Sequence, residues 1–300
     1  MSISKKIRAI ITKRGQIVRK ADDFLIAGLA DVQNNLAKTI IEKLSRFERR
    51  GGALAAGSAN NTEMLSIFER NIKSALRNTK YNDLIKGYLN NFDEMAKLGQ
   101  QTAQAVAGRT VNPSTINALK KIEIERLAIQ LVDPKGIQSN VVDPIKRILF
   151  RSVTTGMDYE SAVGEITNFV TGTQGSQGFM QRYTTQLARD SVNRYGGTIN
   201  NVIKAEFELD GFVYVGSLID TSRKICTDLV NGEGVFSDLR KDGAYRIVDL
   251  PIIVQRMKGN AGVNPDLTPD NFFELRGGYN CRHEAIPIKL TQRQLALWEE

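Results

Sequence analysis

Leu25, Leu29, Val32, Leu36, Ile40, Leu44 and Phe47 recur at intervals of three and four residues, so they share one face of a long helix. An apolar stripe of this length needs a partner, because a helix in water draws its stability from packing that face rather than from propensity. A second stripe follows through Leu65, Phe68, Ile72 and Leu76, then Leu84 or Ile85, Tyr88, Phe92 and Met95, with Asn78 and Thr79 interrupting it. Between the stripes, residues 50–61 hold Gly51, Gly52, Gly57, Ser58, Asn60 and Asn61 and read as a flexible hinge. Two arrangements then compete evenly. Either the two stripes close on one another as a hairpin, or the first helix swings out and docks on another subunit.

Residues 105–115 form a second linker, in which Pro113 suits the first turn of a helix. Helical patterns run over 116–132, 142–153 and 159–170, separated by Asp133-Pro134, Asp143-Pro144 and Thr155-Gly156. Residues 172–178 form a polar loop. Residues 180–207 return to a helical period, with a break or kink expected at Gly196-Gly197. After Asp210-Gly211 the period changes, and Phe212, Val213, Tyr214 and Val215 make the first convincing strand. Short strands are expected at 245–248, 252–254 and 285–290, and a closing helix at 291–298. The fold class is therefore α+β: a mostly α-helical N-terminal two-thirds, as a long hairpin or bundle, with a small C-terminal α+β module. The expected segments are 1–110 (basic arm and partner-docking helices), 111–177 (helical connector) and 178–300 (α+β module).

A hydrophobic content of 41% over 300 residues supports a real core, and the formal charge of +8 suits a polyanionic partner. The charge is concentrated. Residues 1–20 contain Lys5, Lys6, Arg8, Lys13, Arg14, Arg19 and Lys20 and no acidic residue. Such a run is either a solvated, frayed terminus or a set of phosphate contacts that binds DNA with strong salt dependence and no sequence preference. No secretory apolar region and no membrane-length apolar run is present, so a soluble cytosolic chain is expected.

One histidine excludes zinc peptidases of the HExxH type and nucleases built on a histidine pair; no phosphate-binding P-loop or GxSxG elbow occurs. That histidine, His283, and both cysteines, Cys226 and Cys281, fall in two short stretches about 55 residues apart. Three readings stay open. A zinc-type site would use both thiolates, the imidazole and a fourth group such as Asp220 or Asp228. A Cys226–Cys281 disulfide would close the loop. Alternatively, all three are plain core residues. A Cys-His catalytic pair is also formally available, with Cys226 or Cys281 as the thiolate and His283 as its base. Arg223 and Arg282 flank the cysteines, with Asp220 and Glu284 nearby, and Asp220 with Arg282 is the expected structural tie.

The ordered residues resemble the phage head morphogenesis family of minor head proteins, of the Mu protein F-like type. The resemblance rests on the helix Leu187-Ala188-Arg189-Asp190 through Asn193, Tyr195 and Gly196, and on the strand 212–216. It continues through the turn Asp220, Arg223, Cys226 with Asn231-Gly232 after it, and ends on Asn280-Cys281-Arg282-His283 followed by residues 285–288. It covers about residues 150–290. The family's leading histidine falls on Gly278 and its proline on Tyr279, so one expected ligand is missing. The resemblance implies a non-enzymatic virion protein at the portal vertex or capsid interior, assembled in the host bacterial cytoplasm and acting in head assembly and DNA packaging or delivery. Its partners would be the portal protein, the major capsid protein or both, and packaged DNA through the basic terminus, with no membrane; self-association into a homo-oligomer is a further expectation. The rival is a phage nuclease or thiol hydrolase using Cys281 and His283.

Overall fold

The computed structural model describes residues 5–77, 80–131, 134–278, 281 and 283–299. The first stripe, from Leu25 to Leu44, lies on α1 (Lys5–Leu44), a helix of 40 residues, and Phe47 follows in the turn after it. There follow α2 (Ala59–Arg77), α3 (Tyr81–Leu89), α4 (Asn91–Ala107), α5 (Pro113–Leu131), α6 (Asp143–Thr154), α7 (Tyr159–Thr171) and α8 (Phe179–Glu206). The remainder contains β1 (Gly211–Val215), α9 (Lys224–Asn231), β2 (Tyr245–Arg246), α10 (Leu250–Met257) and β3 (Glu284–Ile288). A mostly helical N-terminal part and a small C-terminal α+β part match the sequence pattern.

The chain compacts into two interleaved units, 21–90 with 124–188, and 1–20 with 91–123 and 189–300. These do not coincide with the consecutive segments 1–110, 111–177 and 178–300. The reason lies in which faces are apolar: Ile7 of α1 and Ala105 and Val106 of α4 pack with Val213, Ile286 and Leu290 near the other end of the chain.

In the helical unit (21–90 and 124–188), every residue of the first stripe is buried, as are Phe68, Ile72, Leu76, Leu84, Ile85 and Tyr88. The stripes are thus satisfied within the chain. The hinge expected at 50–61 is instead pinned. Asn61 is fully buried; its Oδ1 accepts from Glu48 N at 2.7 Å, and its Nδ2 donates to Glu48 O at 3.0 Å and Ala55 O at 3.1 Å. Leu54 N also donates to Met157 O at 2.9 Å. One side-chain amide meeting three backbone groups fixes a loop that its glycines alone would leave free. The interruption at Asn78 and Thr79 lies outside the described residues.

In the second unit (1–20, 91–123 and 189–300), β1 is central in a three-stranded antiparallel sheet ordered β2-β1-β3. The register pairs Phe212 with Tyr245 and Pro287, and Val213 with Ile286. Both faces of the sheet are covered, which explains why β1 reads as an unbroken apolar run rather than an alternating one. Phe212 and Tyr214 face an aromatic core with Tyr245, Phe272 and Phe273. Val213 faces the cluster that contains Ile7.

Three local expectations are corrected here. Residues 252–254 are helical, within α10, because Pro251 in its first turn presets helical backbone angles and Ile253, Val254 and Met257 form its buried face. Only Tyr245–Arg246 of the strand expected at 245–248 pairs; a short helical turn follows at Ile247–Asp249. At Gly196-Gly197 α8 does not break. A Cβ on Gly197 would lie 2.1 Å from Phe273 O, so the glycine admits a close backbone approach rather than a kink.

Candidate metal centre

Alternation along β3 sorts its neighbours between the two faces of the sheet. His283, directly before β3, stacks near the Tyr214 ring at 5.8 Å between centroids, on the aromatic face. Glu284 is directed to the opposite face and meets Arg14, whose Nη1 donates to Glu284 Oε2 at 2.7 Å. Cys226 lies in the first turn of α9, on the face that buries Ile225 and Leu229. Cys281 is brought to it by the turn after the Phe272–Leu275 helix. Arg223 ties the two segments by donating to Gly277 O.

The ligand atoms of Cys226, Cys281 and His283 lie within 4.8 Å of one another. All three residues are buried, at 2%, 7% and 4% exposure. Cys281 Sγ lies 3.6 Å from His283 Nδ1 and 3.6 Å from the Tyr214 hydroxyl. Both cysteines are free thiols. The Cys226 thiol, donating to Cys281, pulls the Cys281 pKa well below the usual thiol range; burial opposes this, and His283 and the Arg276 guanidinium add to the lowering. The same hydrogen bond, reinforced by burial, pushes the Cys226 thiol far up. Burial likewise raises the Tyr214 hydroxyl well above its ordinary value.

His283 Nε2 is buried and has no hydrogen-bond partner among the described residues. Leaving a buried ring nitrogen unsatisfied costs about 1–3 kcal/mol, and a cation is one species that would satisfy it. Two thiolates and an imidazole are the donors a zinc-class ion prefers, so the residues fit such an ion. This group of three can hold a metal. Gly277 belongs to the same architecture: a Cβ there would lie 2.6 Å from both sulfurs, so its bare Cα lets the strand of chain close over them.

The site residues named from the sequence fare unequally. Asp220 is exposed and Asp228 is held by Lys224 Nζ at 2.7 Å, and neither belongs to the ligand group, so neither is the fourth ligand. Arg223 donates to the backbone carbonyl of Gly277 rather than to a carboxylate. Arg282 lies outside the described residues, as does Asn280, and with Arg282 the Asp220–Arg282 tie. Arg14 is a correction. It is fully buried, donates to Glu284, Thr102 (3.3 Å) and Asn200 (3.1 Å), and is no part of a DNA-binding surface. A guanidinium sealed in this way cannot reach phosphate. The other six cations, Lys5, Lys6, Arg8, Lys13, Arg19 and Lys20, are exposed on the solvent face of α1. The stretch is helical from Lys5 rather than frayed, since Ile7 and Ile10 are buried on its other face.

Tyr214, Arg276 and Gly277 escaped sequence reasoning as site residues. The parity of the β1 run placed Tyr214 on one face without saying which. Arg276 is 2% exposed at a left-handed φ of 34°, with Nη2 donating to Asn193 O at 2.7 Å; a burial of that kind leaves no mark in the sequence. A cavity of about 180 Å³ adjoins all three ligand residues, with Arg189 and Arg223 in its wall.

Comparison of the chain with protein-family models, with curated proteins and with solved structures finds no match.

Proposed function

We propose that this protein is a structural minor head protein of a tailed bacteriophage, seated at the portal vertex or capsid interior, with a zinc ion on Cys226, Cys281 and His283 closing its C-terminal unit. The observation that carries this reading is the meeting of the two segments that bear the family resemblance. Residues 220–226 and 281–283, distant in sequence, contribute one buried ligand group. When bound, the ion would cross-link the two segments and contribute folding free energy to a unit whose sheet is only three strands wide. The exposed cations of α1 would face packaged DNA, and the partners would be the portal protein, the major capsid protein or both. Among the described residues no helix is long and apolar enough to cross a membrane.

The rival reading, a thiol hydrolase or nuclease, draws on the Cys281–His283 pair and its lowered thiol pKa. Nucleophile-base pairs work when a third group orients the base. Among the described residues His283 Nε2 has no such partner, and Cys281 is already engaged by the Cys226 thiol and the Tyr214 hydroxyl. The adjoining cavity, about 180 Å³, is also below the roughly 300–1,000 Å³ of a small-molecule pocket. Locating the chain's density in an intact particle tests the proposal. Density at the portal or on the inner capsid wall is expected, and absence from purified infectious particles would overturn it.

A further inference from the structure

We infer that Cys226 and Cys281 are also a reversible disulfide site, open to oxidants of the low-molecular-weight disulfide class, so that the second unit has two mutually exclusive closures. In one, a metal ion holds the two thiolates; in the other, the sulfurs hold each other. The first closure rests on the metal reading above, whereas the second stands on the sulfur geometry alone.

The two sulfurs converge. They lie within 4.8 Å of one another, and a disulfide needs about 2.05 Å. A change of staggered well moves a cysteine sulfur by about 3 Å, which spans that gap from either side. Gly277 marks where they converge: a Cβ there would lie 2.6 Å from both sulfurs, so glycine leaves the shared space empty. The cavity of about 180 Å³, lined by both cysteines, gives the side chains room to turn. The backbone is already closed. Arg223, donating to Gly277 O, joins the segment before Cys226 to the segment before Cys281. Cys226 N and Cys281 N are each bound within their own turns, to Arg223 O at 2.9 Å and to Gly278 O at 3.2 Å. The chain has no third cysteine, so within one copy each thiol has a single possible partner.

The chemistry is a two-step exchange. One cysteine thiolate attacks a sulfur of the small disulfide, breaks its S–S bond and expels a thiolate, leaving a mixed disulfide. The other cysteine attacks the protein sulfur of that mixed disulfide and expels the second thiolate. The metal-free pair gives up two electrons and two protons, and the reagent leaves as two thiols. A metal-bound pair gives up the ion in place of the protons, and solvent protonates the departing thiolates. Reducing conditions favour the metal-bound dithiol and oxidising conditions the bond, so the loop of about 55 residues between the cysteines stays closed in both. In the virion reading, a particle assembled in the host cytoplasm and then released passes from the first condition to the second.

The test equilibrates the full, metal-free chain with reduced and oxidised glutathione in graded ratio, in buffer and in unfolding urea, and measures the linked Cys226–Cys281 peptides by mass. The native chain should keep the bond in buffers about tenfold or more reducing than the unfolded chain tolerates, because the fold holds the sulfurs together. Free zinc at about a hundred times its dissociation constant should then move the native midpoint about a hundredfold toward oxidising buffer, since only the dithiol binds it. A native midpoint no more reducing than that of the unfolded chain would overturn the inference and leave the metal reading untouched. Bonds formed between copies in place of within one would do the same. A midpoint indifferent to zinc would overturn the metal reading and the pair of exclusive closures with it, the disulfide alone surviving.

Discussion

Replacing Arg14 with Met removes a charge that the second unit has sealed away. Arg14 is fully buried, and its guanidinium meets Glu284 at 2.7 Å, Asn200 at 3.1 Å and Thr102 at 3.3 Å. Methionine fills much of the volume, so little of the loss comes from a cavity. The loss comes from Glu284, whose side chain is 11% exposed and would keep a carboxylate with no counter-ion. Breaking a buried pair from one side costs about 3–5 kcal/mol. With a urea slope of about 2–3 kcal/mol per M, the unfolding midpoint of the unit should fall by roughly 1–2 M. The chain's one tryptophan reports on this unit, since Trp298 Nε1 donates to Leu239 O at 3.2 Å. Trp298 fluorescence in urea is therefore the assay. Adding Glu284→Met should recover about 2–3 kcal/mol, because the double variant leaves no uncompensated charge. A midpoint unchanged in Arg14→Met, or effects that simply add in the double variant, would refute the buried-pair argument. The same result decides what residues 1–20 are for: deleting them removes Ile7, Ile10 and Arg14 from the fold, so truncation should destabilise the unit rather than leave it intact.

Three further outcomes are expected. Hydrogen bonds from Lys73 and Lys146 lower the Glu69 pKa from its ordinary 4.5 to about 2. Its contribution to stability is therefore present above about pH 4.5 and lost as pH falls toward 2. Hydrogen exchange in α2 and α6 should rise over that window in the native chain and show less pH dependence in Glu69→Gln. Cys281→Ser should lower bound zinc at least tenfold and lower the melting temperature of the second unit, and a chelator should do the same to the native chain. An unchanged melt in both would leave the cysteines as ordinary core. Charge reversal at Lys5, Lys6, Lys13 and Lys20 should weaken DNA binding equally across sequences and reduce the salt slope by about one for each phosphate no longer neutralised. A slope equal to the native one would remove α1 from the DNA-binding account.

Local period was legible wherever one face of an element is buried. Leu25 to Leu44 gave the helix and its buried face, and Phe212 to Val215 gave the central strand. What the sequence hid were outcomes decided by distant partners. Residues 50–61 look mobile by composition, and the burial of Asn61 against Glu48 and Ala55, with the bond from Leu54 to Met157, fixes them. Ile252, Ile253 and Val254 have strand propensity, but Pro251 and the packing of Met257 commit them to a helix. Arg14 stood in a basic run indistinguishable from its neighbours until Glu284 took it inward. The cysteines and histidine were visible as a set because the chain has so few, yet nothing local in Arg276, Gly277 or Arg189 marks them as walls and supports of that set.

X-ray absorption at the zinc edge of the protein purified with its metal addresses the central claim most directly. The account predicts one zinc per chain with two sulfurs at about 2.3 Å, one imidazole nitrogen at about 2.0 Å and one further light atom. A zinc-free protein, or a shell of four sulfur and nitrogen donors, would contradict it.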